Sequence, residues 1–244
     1  MNFGVVVFPG TWSDCDFHYI VSEVLHQPVR YVWHRDAQLA DFDCLILPGG
    51  FSYGDYLRAG AVAGRSPVVE ALPEFVAKGG LVLGSCNGFQ ILCEAKLLPG
   101  ALTRNECLQY RCQSTWLRVE NAETSFTRAM RPGQVLKMPI SHGEGKFFAD
   151  PDTLRRVRDQ KQIVFRYCSE DGRVTKDANP NGSLDNIAGL VNEGGTVLGL
   201  MPHPERCADA LLGNEDGRLI LLSLLESIKS GQYAPKPVLA HNAF

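Results

Sequence analysis

Short apolar runs and amphipathic stretches alternate through the first hundred residues. Phe3 to Phe8 is an almost unbroken apolar run, as a fully buried strand requires, and it stops at Pro9-Gly10. Ser13 is placed to cap a helix reaching about Leu25. Val29 to Trp33 gives a second strand, and Cys44-Leu45-Ile46-Leu47 a third that ends at Pro48-Gly49-Gly50. Ser66-Pro67 reads as an N-cap and first helical residue. Val68, Leu72, Phe75 and Val76 follow at helical spacing, Gly79-Gly80 ends the segment, and Pro73 bends or interrupts it. A fourth strand, Leu81-Val82-Leu83, runs into Gly84-Ser85-Cys86-Asn87-Gly88 and on into a helix-compatible stretch. Strands without polar alternation, separated by helices, predict a doubly wound α/β fold: a mostly parallel sheet covered on both faces. In such sheets ligands bind beyond the carboxyl ends of the strands, where both Gly49-Gly50 and Cys86 fall.

After Pro99-Gly100 the texture changes. Thr115 to Glu120, Val135 to Ile140, Ile163 to Tyr167 and Ile187 to Val191 are short strand-like runs between polar turns. Asn192-Glu193-Gly194-Gly195 predicts a hairpin joining the last of these to Val197–Met201, so antiparallel strands are added in the C-terminal half. A final helix spans roughly Glu215 to Ser230, with Leu219, Leu222, Leu225 and Ile228 as its apolar positions. With no repeat or linker, residues 1–230 read as a single domain and 231–244, containing Pro235 and Pro237, as a loosely ordered tail.

Composition narrows the class. The 244 residues are 45% hydrophobic and 21% charged, ordinary for a soluble globular domain with an ample core. The net charge of −3 carries no basic block, so no footprint for nucleic acid exists, and no apolar run is long enough to cross a bilayer. The N-terminus lacks the pattern of a signal peptide. The eight cysteines include no CxxC pair, and several lie within apolar runs; a reducing cytoplasm fits better than a disulfide framework, and no ligand spacing suggests a metal.

Candidate chemistry concentrates in two places. The strand–Gly-x-Cys-x-Gly–helix corner is the cysteine form of a nucleophile elbow, which lifts Cys86 from the sheet edge at a helix N-terminus, a position that favours negative charge. A cysteine taken alone is more often a small core residue; the two flanking glycines tip the balance. Met201-Pro202-His203-Pro204-Glu205 follows an apolar strand, and its prolines predict an extended segment with His203 and Glu205 on one side. The carboxylate can then hold one imidazole nitrogen while the other faces the thiol, completing a Cys86–His203–Glu205 triad. Acyl chemistry also needs an oxyanion hole; the Asn87 amide is one natural donor, and Gly49-Gly50 is placed to give the second. These residues imply a cysteine-dependent acyl-transfer or hydrolytic enzyme without naming its substrate.

The same residues resemble the class I (triad) glutamine amidotransferases, which have a flavodoxin-like fold. Gly49 to Gly60, Pro139-Ile140-Ser141-His142-Gly143-Glu144-Gly145-Lys146-Phe147, Asn179 to Ser183 and Asn186 to Gly189 resemble the branch that serves as glutaminase subunits of phosphoribosylformylglycinamidine synthases. The resemblance covers about residues 3–230. It implies that Cys86 is the nucleophile, His203 the base and acid, and Glu205 its orienting partner. It assigns oxyanion amides to Gly50 and Asn87, and substrate contacts to Gly49, Gln90 and the Ser141-His142-Gly143 loop, with His142 structural and not catalytic. Asp55, Tyr56 and Arg58 become loop architecture or partner contacts. Lys96 departs from the pattern, since a small residue is expected there.

The resemblance further implies glutamine as substrate and no cofactor in this chain, with ATP and Mg on a large synthetase partner and a small bridging subunit beside it. No GxxxxGK[ST] or GxGxxG loop offers a nucleotide site here. Three rivals remain: the glutaminase of another ammonia-channelling synthase, such as that feeding pyridoxal phosphate synthesis; a DJ-1-type cysteine hydrolase or chaperone; and a silent regulatory subunit that keeps the fold for docking. Against the second, Phe8-Pro9-Gly10 ends the first strand where that type has an acidic residue.

Overall fold

A computed structural model describes residues 1–230; the expected tail, 231–244, lies outside the described residues. The strands are β1 (Phe3–Val7), β2 (Val29–Trp33), β3 (Cys44–Leu47), β4 (Leu81–Ser85), β5 (Ala101–Thr103), β6 (Arg111–Val119), β7 (Val135–His142), β8 (Lys146–Phe148), β9 (Ile163–Cys168), β10 (Ile187–Val191) and β11 (Val197–Leu200). The helices are α1 (Asp14–Tyr19), α2 (Pro67–Glu70), α3 (Leu72–Ala77), α4 (Asn87–Glu94), α5 (Pro151–Asp159) and α6 (Arg218–Lys229). Nine strands form one sheet in the order β2-β1-β3-β4-β11-β10-β9-β6-β7, and β5 pairs with β8 in a separate ribbon. The first five of that order are mutually parallel; the rest join antiparallel.

Successive side chains of a strand point to opposite faces. Phe3, Val5, Cys44, Ile46, Leu81 and Leu83 therefore feed one core, with residues of α1 and α6, while Val6, Leu45, Leu47 and Val82 feed a second beneath α2, α3 and α4. This double burial is why those strands read as unbroken apolar runs. The carboxyl ends of β3, β4 and β11 are neighbours in the sheet, so Gly49-Gly50, Cys86 and His203 emerge together at one rim.

Several boundaries differ from expectation for identifiable reasons. The first helix passes into a π-turn at Ile20–Val24, and the Ser13 hydroxyl makes no capping bond; the Ser13 amide instead donates to the Gly49 carbonyl at 3.1 Å. Ser66 does occupy an N-cap, although its buried hydroxyl finds no partner. The segment after it breaks at Ala71, and Pro73 sits in the first turn of α3, where a missing amide is tolerated. Strand β6 begins at Arg111 because its exposed first residues, Arg-Cys-Gln-Ser, pair with β7 without showing an apolar pattern. Helix α5 escaped the reading because Val157 is its one fully buried residue, although Asp150 caps it through Oδ1 to the Asp152 and Thr153 amides, with Pro151 in the first turn.

Candidate active site

The elbow forms as the spacing requires. Cys86 has φ 50° and ψ −106°, a strained conformation for a residue with a side chain, held by its amide bond to the Leu200 carbonyl at 2.8 Å and by the Phe89 and Gln90 amides on its own carbonyl. Gly88 is obligatory there: a Cβ would stand 1.9 Å from the Leu47 carbonyl oxygen, so the helix could not approach β3. The Cys86 sulfur lies 3.6 Å from the Ser141 carbonyl oxygen and faces a cavity of about 230 Å³. That cavity is lined by Gly50, Phe51, Tyr110, Ser141, His203 and Arg206, among others.

His203 and Glu205 meet, though by a different path from the expected one. His203 is extended (φ −103°, ψ 91°), but Pro204–Cys207 forms a 3-10 turn that swings Glu205 back under the ring. Nδ1 donates to Glu205 Oε1 at 2.6 Å, and the Ser85 hydroxyl lies 3.3 Å from Glu205 Oε2. The pair is almost fully buried, at 5% and 1% exposure. Burial is the largest influence on His203 and opposes its charge. Glu205 and the Cys86 sulfur outweigh it together, and the ring's pKa stands well above 6.5. Nε2 is buried without a strict hydrogen bond, so its contact with the sulfur is loose, as catalytic contacts often are before substrate arrives.

Gly50, at φ 150°, could carry no side chain, because a Cβ would fall 2.7 Å from both the Gly10 carbonyl oxygen and the Trp12 amide. A Cβ on Gly49 would come within 2.6 Å of His203 Cε1, so its bareness makes room for the imidazole. Asn87 braces the corner, accepting from the Ser52 amide at 3.2 Å and donating to Gln90 Oε1 at 2.9 Å. Gln90 in turn donates to the Glu144 carbonyl at 2.7 Å, so both ends of its amide are engaged in holding the elbow to its neighbour.

Ser141 and His142, expected in a loop, are the last residues of β7, paired with Cys112 and Arg111. Ser141 shares a 2.8 Å hydrogen bond with the Tyr110 hydroxyl and lines the cavity. His142 is buried away from it. Its Nδ1 donates to Asn105 Oδ1 at 3.1 Å and its Nε2 accepts from Asn181 Nδ2 at 3.5 Å. Burial, with the nearby charge of His203, lowers its pKa to about 4 and keeps the ring neutral. Gly143 is not at the cavity; its carbonyl accepts from the Asn105 amide at 2.9 Å.

Sequence reasoning missed Asn105, Asn181 and Ser85, all buried and all bonded to site residues. It also missed Arg206 at the cavity, where Nη2 pairs with Asp16 at 2.7 Å. In the Gly49–Gly60 block, positive φ at Tyr53, Asp55 and Leu57 makes a tight loop, and the Arg58 guanidinium grips Glu94 through two bonds. Tyr56 and Leu57 are 77% and 84% exposed. The oddity of Lys96 has a physical basis: it sits just past α4 at φ 58°, the left-handed position that glycine favours.

Residues 2–217 match the CobB/CobQ-like glutamine amidotransferase domain. The chain is 58% identical over 232 residues to the phosphoribosylformylglycinamidine synthase subunit PurQ of Moorella thermoacetica, covering 95% of this chain and 98% of that one. It is 57% identical over 227 residues to the subunit of the same name from Salinibacter ruber, covering 93% and 97%. Among solved structures, PurLQS from Thermotoga maritima contains a chain 41% identical to it, with a TM-score of 0.82 and coverage of 93% and 98%.

Proposed function

The chain belongs to the CobB/CobQ-like glutamine amidotransferase family, and from that membership we propose that Cys86, His203 and Glu205 perform its glutamine hydrolysis. Its function is that of the glutaminase subunit of phosphoribosylformylglycinamidine synthase, supplying ammonia for conversion of formylglycinamide ribonucleotide to formylglycinamidine ribonucleotide in purine biosynthesis. Its partners are the large synthetase subunit and the small subunit of that enzyme.

The observation that carries the residue assignment is the buried His203 ring, held by Glu205 on one nitrogen and turned toward Cys86 with the other. His203 Nε2 takes the thiol proton as the sulfur attacks the side-chain amide carbon of glutamine. The oxyanion that forms is met by the Asn87 and Gly50 amides, each such donor contributing about 3 kcal/mol to transition-state stabilisation. Amide anion is a hopeless leaving group, so His203 returns its proton to nitrogen as ammonia departs, leaving a γ-glutamyl thioester. The same ring then deprotonates water, which attacks the thioester, releases glutamate and restores the thiol. Ser141, at the cavity wall, and Gln90, behind the elbow, are the substrate-side residues of this reading, with Gly49, His142 and Gly143 supporting them.

ATP and Mg belong to the synthetase partner, which receives ammonia by an enclosed route before it is lost as ammonium. No group of side chains among the described residues is arranged to hold a metal ion. Among the described residues no helix is long and apolar enough to cross a membrane; we place the enzyme in the cytoplasm, and read residues 1–230 as one amidotransferase domain. In the assembled enzyme, Cys86→Ala should abolish glutamine-dependent synthesis while synthesis from added ammonia survives. Loss of both activities would make Cys86 a structural residue.

A further inference from the structure

Ser85 ends the strand that delivers the nucleophile and is fully buried. Its register partner is Leu200, the last residue of β11, from which the chain turns through Pro202 to His203 and Glu205. The hydroxyl lies 3.3 Å from the Pro202 carbonyl oxygen and 3.3 Å from Glu205 Oε2. It has a single proton for two acceptors, and a carboxylate is the stronger of them. A hydroxyl without a partner at such depth is unfavourable, and alanine would fill nearly the same space, so serine is explained by what it bonds. Glu205 Oε1 is engaged by His203, which leaves Oε2 as the handle by which the carboxylate plane can be fixed.

We propose that Ser85 is a positioning residue of the triad, its hydroxyl setting the rotation of the Glu205 carboxylate and, through it, the tilt and tautomer of the His203 ring. The contact runs between the strand bearing the sulfur and the turn bearing the base. It therefore ties the two halves of the triad to each other directly as well as through the sheet. The inference rests on the triad assignment above. A freed carboxylate would still attract the ring but would no longer hold Nε2 in line with the sulfur, so the loss falls on turnover and not on substrate binding.

The test is made in the assembled synthase. Ser85→Ala is expected to lower glutamine-dependent kcat about tenfold, equivalent to ~1.4 kcal/mol, with KM within about twofold and ammonia-dependent synthesis unchanged. In a Glu205→Gln background the same substitution should change kcat by less than about twofold, because the group through which it acts has been altered. Ser85→Cys, similar in size and a poorer donor, should fall between wild type and Ser85→Ala, and replaces it should the alanine variant misfold. An unchanged kcat in Ser85→Ala, or an equal loss in both backgrounds, overturns the proposal. A wild-type rate in Glu205→Gln alone would overturn the triad assignment itself.

Discussion

Replacing His142 by glutamine separates a buried neutral ring's contribution to stability from every other acid-sensitive group. The imidazole is buried between Asn105 and Asn181, and its pKa falls from an ordinary 6.5 to about 4 because burial, helped by His203, penalises its charge. The folded protein thus binds fewer protons at this site than the unfolded chain between pH 6.5 and 4. Its stabilisation is complete above the upper value and is lost as the pH falls through that window. The displacement corresponds to about 3 kcal/mol, with no further loss below pH 4. Glutamine keeps an amide donor and acceptor of similar reach but does not titrate. Urea unfolding at intervals from pH 7.5 to 4 should show wild type losing about 3 kcal/mol more than His142→Gln, even though the variant starts less stable. Parallel curves would refute the reasoning: the ring would then be charged in the folded state, and its bonds to the two asparagines would need another explanation.

Glu205→Gln should reduce glutaminase turnover by on the order of a hundredfold or more, through the wrong imidazole tautomer, while thermal unfolding shows the fold retained. Lys96→Gly relieves a left-handed backbone at the end of α4 and should raise stability by about 0.5–1 kcal/mol in denaturant unfolding; a loss would mean that the lysine side chain contributes more than the strain removes. Asp55, half-buried, has its pKa raised to about 6 by burial and by Glu144, and its Oδ1 lacks a hydrogen-bond partner. Since the folded state holds that proton more tightly than the unfolded chain, stability falls as pH rises from about 4 to 6. Asp55→Asn should then stabilise the protein by about 1 kcal/mol at pH 7.5, after allowance for solvent screening, and by nothing near pH 4. An equal gain at both pH values would exclude charge as the cause.

Strands β1, β3, β4 and β11 of the parallel half were legible because they are buried on both faces and cannot hide polar residues among apolar ones; the edge strand β2, mostly exposed, showed itself by its β-branched and aromatic residues. The hairpin at Asn192–Gly195 was equally open, since Gly195 takes the positive φ, 68°, that its turn needs. What escaped was structure held by polar groups. The start of β6 shows no apolar alternation, and helix α5 offers only Leu154 and Val157 as an apolar face, so the Asp150-Pro151 capping signal was the stronger cue there to be used. The interruption expected at Pro73 falls two residues earlier, at Ala71, because Val68, Leu72, Phe75 and Val76 keep helical spacing across the break and the proline is accommodated in the first turn of α3.

The site divides along the same line. Cys86 could be found because the elbow is local: a glycine two residues away on either side is a condition on neighbours in the chain. His203 and Glu205 could be found because two-residue spacing limits their separation whether the backbone is extended or, as here, turned in a 3-10 loop. Asn105 and Asn181 offered no such handle. An asparagine in a turn-rich segment looks like turn chemistry, and only the fold brings these two onto opposite nitrogens of His142. That pairing has a consequence for the His203 ring, because His142 and His203 are close enough for charge on one to disfavour charge on the other. Two protonated imidazoles there would weaken the hold of Glu205 on its partner. By spending both nitrogens of His142 on neutral hydrogen bonds, the asparagines leave the positive charge that forms as the thiol is deprotonated to the ring that faces the sulfur.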